Sequence, residues 1–421
     1  MMHLRDGLAL RAIGLAACAS LLCTTVPSAQ AGAFETTGGS FFGTSQVWVV
    51  AADGSGDFLD LQTAIDAAAP GDAIRLKPAP LPYSTSLIEK PITIMGEGPG
   101  RVAVGEIWGR VAQDVVLRQL SIEPTGTLIG TAGLLLDFSD RVWIEDCEVR
   151  PASERNSSIL ARVANELVIV RTQTGGGTIP FGFGIDPGLG LTISDAYVFD
   201  STFVGSSTPV TVTCPPPFGG VGANVGGASE LHAVNSVFQG GRGAFSNGVQ
   251  CSSGQGGAGI FASCGTSPTF LNCTITGGFG GRGPSPGLSG PPVVVSLCTT
   301  SPPVVLEGTV PTRRSQIAPS VISGGAEAEL RVEAVPGDVL FSLFSTSLKA
   351  EYMPSFLGSL VVGAPYFIVS EGTVPSTGSL TKSFLPAPLQ ALPMTLFQQS
   401  VFFGVDGQVV LSDPSAILLV R

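Results

Sequence analysis

One eight-residue pattern recurs along the N-terminal part of this chain and restricts its fold more than any other feature: apolar, x, apolar, x, turn residue, small residue, x, apolar. It reads Val142-Trp143-Ile144-Glu145-Asp146-Cys147-Glu148-Val149 and returns as Leu167 to Thr174, Tyr197 to Val204 and Leu231 to Phe238. A weaker copy ends at Ile275, and Val115 to Ile122 fits upstream. Taking the small residue as a marker gives Ala79, Glu97, Leu120, Cys147, Thr172, Thr202, Ser236 and Cys273. The intervals widen from about 18 to about 37 residues, the range of one turn of a parallel β-helix.

Alternate residues of a strand point to opposite sides. Val142 and Ile144 therefore point inward and Trp143 and Glu145 outward, and a bend at Asp146 resets the alternation so that Cys147 and Val149 point inward again. A single coil cannot bury its apolar side, whereas stacked coils share a core and pair as parallel strands. The bend column reads Gly96, Gln119, Asp146, Arg171, Ser201, Asn235 and Asn272. All but Arg171 are residues at ease in turns. Two outward columns follow: Thr93, Val116, Trp143, Val168, Val198, His232 and Thr269, then Met95, Arg118, Glu145, Val170, Asp200, Val234 and Leu271. The widening intervals are filled with glycine at Gly219 to Gly227, Gly254 to Gly259 and Gly277 to Gly287, which read as long loops. None carries the Gly-Lys-Ser/Thr of a phosphate loop.

The two ends read differently. Leu61, Ile65 and Ala68 share one face of a short helix placed to cap the open core. After Cys298 the marker stops, and longer alternating runs such as Ala328 to Ala334 and Thr395 to Phe403 appear, punctuated by Pro and Gly. The expected fold is all-β: a right-handed parallel β-helix over 47–300 with an N-terminal capping helix, a linker over 301–315, and a smaller antiparallel β-sandwich over 316–421.

Residues 1–31 read as a signal peptide, with Arg5 and Arg11, an apolar run from Leu15 to Leu22, and Ala29-Gln30-Ala31 as the cleavage site. Lipoprotein processing at Cys18 is the alternative. The stretch is too short for a membrane span, and no later segment resembles one. The protein is therefore expected to be secreted or held at the cell envelope, as a monomer. A net charge of −11, with 21 basic against 32 acidic residues, argues against nucleic acid as a partner. Six cysteines follow the signal. Equivalent positions in neighbouring loops suggest a Cys214–Cys251 disulfide, with Cys264–Cys298 next, while Cys147 and Cys273 face inward as free thiols.

Val49 through Gly98 resembles the N-terminal region of pectin methylesterases and related pectin-lyase-like β-helix proteins. The matching pieces are Ala52-Asp53-Gly54-Ser55-Gly56-Asp57-Phe58, Leu61 to Ala68, Gly71-Asp72-Ala73-Ile74 and Ile92-Thr93-Ile94-Met95-Gly96-Glu97-Gly98. The resemblance implies the cap and first coils of that fold. The esterase signatures Q-A-V-A-L, Q-D-T-L, D-F-I-F-G and L-G-R-P-W are absent, so it carries no catalytic residue over. Val142 to Cys147 also looks like the V-W-I-D-H-C rung of pectate lyases, with Glu145-Asp146 in place of Asp-His and no R-x-P-x-x-R partner.

The outward columns supply the candidate chemistry. Arg118 and Glu145 fall on adjacent coils, about 5 Å apart, and Asp200 lies about 10 Å from Glu145. Two acids at that range can work as acid and base with water between them. Trp143 beside them offers a flat face for a sugar, and His232 extends that surface. Glu145, Asp146 and Glu148 are a candidate calcium set, since calcium takes several carboxylate oxygens. Against this, the columns are mostly Val, Leu and Met, which points to a plain Arg118–Glu145 ion pair on a sheet covered by loops or by the C-terminal domain. The expected function is non-catalytic binding of a polysaccharide or a cell-envelope partner. The alternative is a divergent polysaccharide lyase or hydrolase acting through Arg118, Glu145 and Asp200.

Overall fold

The computed structural model describes residues 46–124, 132–151, 157–175, 186–208, 210–211, 218–246, 252–263, 265–266, 268–283, 285–295, 305–307, 310–323, 326–384 and 394–420. The segment expected to be a signal peptide and the four cysteines expected in disulfides, Cys214, Cys251, Cys264 and Cys298, lie outside these residues. No helix among the described residues is long and apolar enough to cross a membrane.

Three long parallel sheets dominate the fold, with ten strands in sheet I, seven in sheet II and eight in sheet III among the described residues. One circuit shows the plan. Arg141–Glu145 belongs to sheet I, Glu148–Val149 to sheet II and Ser157–Arg162 to sheet III, and Glu166–Val170 then returns to sheet I beside its predecessor. The chain thus visits the sheets in rotation, an arrangement compatible with the expected parallel β-helix. Inward residues of all three sheets form one core, with Ile94, Leu117, Val142, Ile144, Cys147, Ile169 and Phe203 among them.

The small inward marker has a structural reason. Thr172 and Ser201 give their N–H groups to Ser201 Oγ and Ser236 Oγ, at 3.0 and 3.1 Å. Each hydroxyl also donates to the carbonyl two residues earlier: Thr172 to Val170, Ser201 to Phe199 and Ser236 to Val234. Side chains of this size fit inside a corner and join one coil to the next. This ladder corrects one coil of the sequence register. Asp200, with φ of 46°, occupies the left-handed bend beside Asp146 and Arg171, and Ser201 is the marker in place of Thr202. Because side chains alternate, a slip of one residue swaps faces. Tyr197 and Phe199 are therefore outward, paired with Val168 and Val170, while Val198 is in the core.

The capping helix forms over Leu61–Ala67, where Asp60 accepts the Thr63 N–H as N-cap and Leu61, Ala64 and Ile65 enter the core. Sheet I gains a further strand at Val305–Glu307, inside the segment read as linker. Mainly antiparallel sheets follow from Arg314: a three-stranded sheet and a six-stranded sheet with Ile317, Leu330, Leu340, Phe402 and Ile417 in a common core.

The glycine-rich segments are not loops. They form two layers of three extended segments, two of which begin at the ends of sheet II strands: 205–208, 239–244 and 276–282 in one, and 219–222, 254–259 and 287–291 in the other. A sheet strand has two neighbours, but segment 254–259 bonds to four. Gly254 and Gly257 N–H reach Ala244 and Gly241, and Gly256 and Gly259 N–H reach Leu288 and Pro291. Its carbonyls at 255 and 258 take Gly219 and Gly222 N–H, and those at 254 and 257 take Gly281 and Gly278 N–H. The period is three residues, as in a polyproline II helix. Two of every three positions face another segment so closely that a Cβ would overlap a carbonyl, as at Gly241, Gly257 and Gly278.

Candidate functional site

The outward face of sheet I lies under the C-terminal sheets. Val116, Trp143, Val168, Val170, Tyr197, Phe199, Val234 and Leu271 pack against Leu343, Leu348, Val361, Phe397 and Ala416 in one apolar cluster. Trp143 has no exposed surface, and its ring lies 4.9 Å from that of Phe397. His232 stacks on Tyr352 with ring centres 4.4 Å apart. The two side chains nominated for sugar contact are thus interior residues of the interface.

Arg118 and Glu145 are registered neighbours, paired at 3.1 Å as expected, but Glu145 is fully buried. Its Oε1 also accepts from Arg171. Its Oε2 accepts the Trp143 Nε1–H at 2.9 Å and the Ala416 N–H at 3.0 Å. Four donors thus converge on the Glu145 carboxylate. The expected calcium set does not converge: Asp146 pairs with Arg171 at 2.9 Å, and Glu148 faces Arg101 and Arg150. No group of three metal-ligating side chains occurs among the described residues.

Asp200 faces elsewhere. Its left-handed corner aims the carboxylate at the first C-terminal strand, where Arg314 holds Oδ1 through Nη2 at 2.6 Å and Nε at 3.1 Å. Asp413, from the loop before the last strand, joins it. Asp413 accepts from Arg171 Nη1 at 3.0 Å and from the Ser315 N–H at 3.2 Å. These groups line a pocket of about 390 Å³ at the seam, with Gln316, Arg331 and Glu333 on its walls. That volume lies in the range of small-molecule sites.

Burial governs the protonation of the pair. It pushes the Asp413 carboxyl up to about 7 against the pull of Arg171, and the Asp200 charge adds to the rise. Burial also raises Asp200, against Arg314 and Arg171. For Arg171, burial pulls downward, but Glu145, Asp146 and Asp413 outweigh it and hold the guanidinium above its ordinary value. Asp200 Oδ2 is buried without an N–H donor. A protonated Asp413 carboxyl offers an O–H donor instead, and a hydrogen bond from Asp413 favours the ionised form of Asp200. The pair can therefore hold one proton between a donor and an acceptor, beside two guanidinium groups able to take an anion.

Sequence reasoning reached Asp200 by a register one residue out, and it missed Asp413, Arg314 and the bridging role of Arg171. The signal for Arg171 was available: it is the one long cation in a column of turn residues, and such a residue at a bend calls for an acidic partner. Cys147 and Cys273 are free thiols facing the core, both pushed up to about 12 by burial.

No family model and no curated protein matches the chain. Among solved structures it is similar to a superoxide reductase (neelaredoxin) from Ignicoccus hospitalis at 11% identity and a TM-score of 0.16, over 26% of this chain and 80% of that one.

Proposed function

We propose that this chain is a secreted or cell-envelope protein of the pectin-lyase-like type, a right-handed parallel β-helix carrying a C-terminal β-sandwich, and that it binds a polysaccharide or another surface partner without catalysing its breakdown. Right-handed coiling follows the general rule for crossovers between parallel strands. The observation that carries the functional reading is the closure of sheet I, whose outward face is occupied by the protein's own C-terminal sheets. One face left open for a polymer is that of sheet II, where Glu148, Gln173 and Thr202 form a registered polar row. Rungs about 4.8 Å apart repeat hydrogen-bonding groups along one line, as an extended glycan requires.

The test is retention of the purified chain on neutral and acidic polysaccharides, with product release followed in the same samples. Binding that falls in Gln173→Ala, with no unsaturated products or new reducing ends, is the expected result. Products from any substrate overturn it. One observation favours a second reading, polysaccharide cleavage at the seam: the proton-sharing Asp200–Asp413 pair in an open pocket. Product formation abolished by Asp413→Asn would establish that reading instead.

A further inference from the structure

The two glycine layers carry side chains on a fixed lattice. In segments 239–244 and 276–282, two positions of each three-residue turn face neighbouring segments and the third faces outward. The N–H groups of Gly240 and Gly243 bond to the carbonyls of Thr276 and Phe279, at 2.9 Å each, which fixes the register between the two segments. The outward rows are Gln239 beside Thr276, Arg242 beside Phe279, and Phe245 beside Arg282. Successive rows lie about 9 Å apart. Cation and aromatic ring therefore alternate both along and across the face. Phe279 is 65% exposed and Phe245 36%, and both arginines are exposed.

These two arginines differ from the others. Every other described arginine is ion-paired with a carboxylate. Arg242 and Arg282 have no carboxylate in salt-bridge range among the described residues. In a chain of net charge −11, the unpaired guanidinium groups thus share one face with exposed phenylalanines. The N–H groups of Gly240, Gly241, Gly243, Gly278 and Gly281 are all bonded inside the bundle. Such a backbone can approach an apolar phase at little cost. Phenylalanine has no polar atom to exchange with a sugar hydroxyl, but it enters the acyl boundary readily, and arginine meets a phosphate bidentately.

We propose that this face of the glycine bundle docks on an anionic phospholipid surface, with Phe245 and Phe279 at the acyl boundary and Arg242 and Arg282 on headgroup phosphates. The face continues from the ends of two sheet II strands at Gln239 and Thr276, but it shares no residue with the polar row of that sheet and does not depend on a glycan site there. The experiment is co-sedimentation of the full chain with phosphatidylglycerol vesicles and, in parallel, phosphatidylcholine vesicles. Binding to the anionic vesicles alone is expected. The double variant R242Q/R282Q should bind about 30-fold more weakly, equivalent to about 1 kcal/mol for each arginine, and Phe279→Ser should also weaken it. A gain-of-function variant, Thr276→Arg, adds a cation to the same face and should tighten binding, which guards against loss through misfolding. Equal binding by wild type and R242Q/R282Q, no binding to either vesicle, or retention by polygalacturonate alone through the same residues overturns the proposal.

Discussion

Replacing Gly257 by alanine tests the glycine bundle at one of its close approaches. The added Cβ would lie 2.6 Å from the Gly220 carbonyl carbon and still nearer to its oxygen. Ordinary carbon–carbon contact is about 3.5–4.0 Å, so the segments must separate by about 1 Å. Three bonds cross that point: Gly257 N–H to Gly241 O at 2.9 Å, Gly278 N–H to Gly257 O at 2.7 Å and Gly241 N–H to Gly220 O at 2.7 Å. Separation by 1 Å takes them past hydrogen-bonding range. At about 1 kcal/mol each, with about 1 kcal/mol or more of overpacking, the loss is about 4 kcal/mol. Reduced chain entropy in the unfolded state returns less than about 1 kcal/mol, which leaves about 3 kcal/mol of destabilisation. Gly100→Ala is the control, because a Cβ there meets nothing within 4 Å, and it should stay within about 0.5 kcal/mol of wild type. Urea denaturation gives the totals, and amide exchange shows whether the loss falls on 219–222, 239–244, 254–259 and 276–282. If Gly257→Ala and Gly100→Ala prove equally stable, the packed-bundle account is wrong and these segments are loops after all.

Three further expectations follow from the seam and the core. Glu145→Ala leaves Arg118 and Arg171 buried without their shared carboxylate and should cost about 3–5 kcal/mol in denaturant unfolding; near-neutrality would refute the role given to that carboxylate. Asp413 keeps its proton in the folded state up to about 7 while the unfolded chain releases it near 3.8, so this group's contribution to stability falls as pH rises between those values and levels off above them. Asp413 faces Arg171, Asp200 and Arg314, and Asp413→Asn should flatten that slope in a pH series of unfolding curves; an unchanged slope would assign it to other groups. Cys147, fully buried with its thiol pushed up to about 12, should resist iodoacetamide at pH 8 in the native protein and react once the chain is unfolded.

Much of the architecture was legible in the chain because its information is local and periodic. Alternation at Val142 to Glu145, a turn residue at Asp146 and a small residue at Cys147 specify which side chains face a shared interior, and repetition specifies stacking. The same local rule failed at Tyr197 to Val204, where Asp200 and Ser201 are both good turn residues. Only the hydroxyl ladder from Thr172 through Ser201 to Ser236 distinguishes them. The Gly-Gly-x triplets at Gly240, Gly256 and Gly277 also held a period, of three, and it passed for loop composition because a polyproline II segment has no internal hydrogen bonds and declares itself only beside its neighbours.

What the sequence by itself determined is the repeat, the capping helix at Leu61–Ala67 and the change of character after Cys298, each carried by residues adjacent in the chain. What only the tertiary structure decided is which outward faces meet solvent. Trp143, Glu145 and His232 follow the outward rule of their strands and are nevertheless interior, because Phe397, Ala416 and Tyr352 cover them. The Asp200–Asp413 pair likewise joins positions far apart in sequence. No spacing rule connects such positions, since the contact is made by two folded surfaces and not by neighbouring residues.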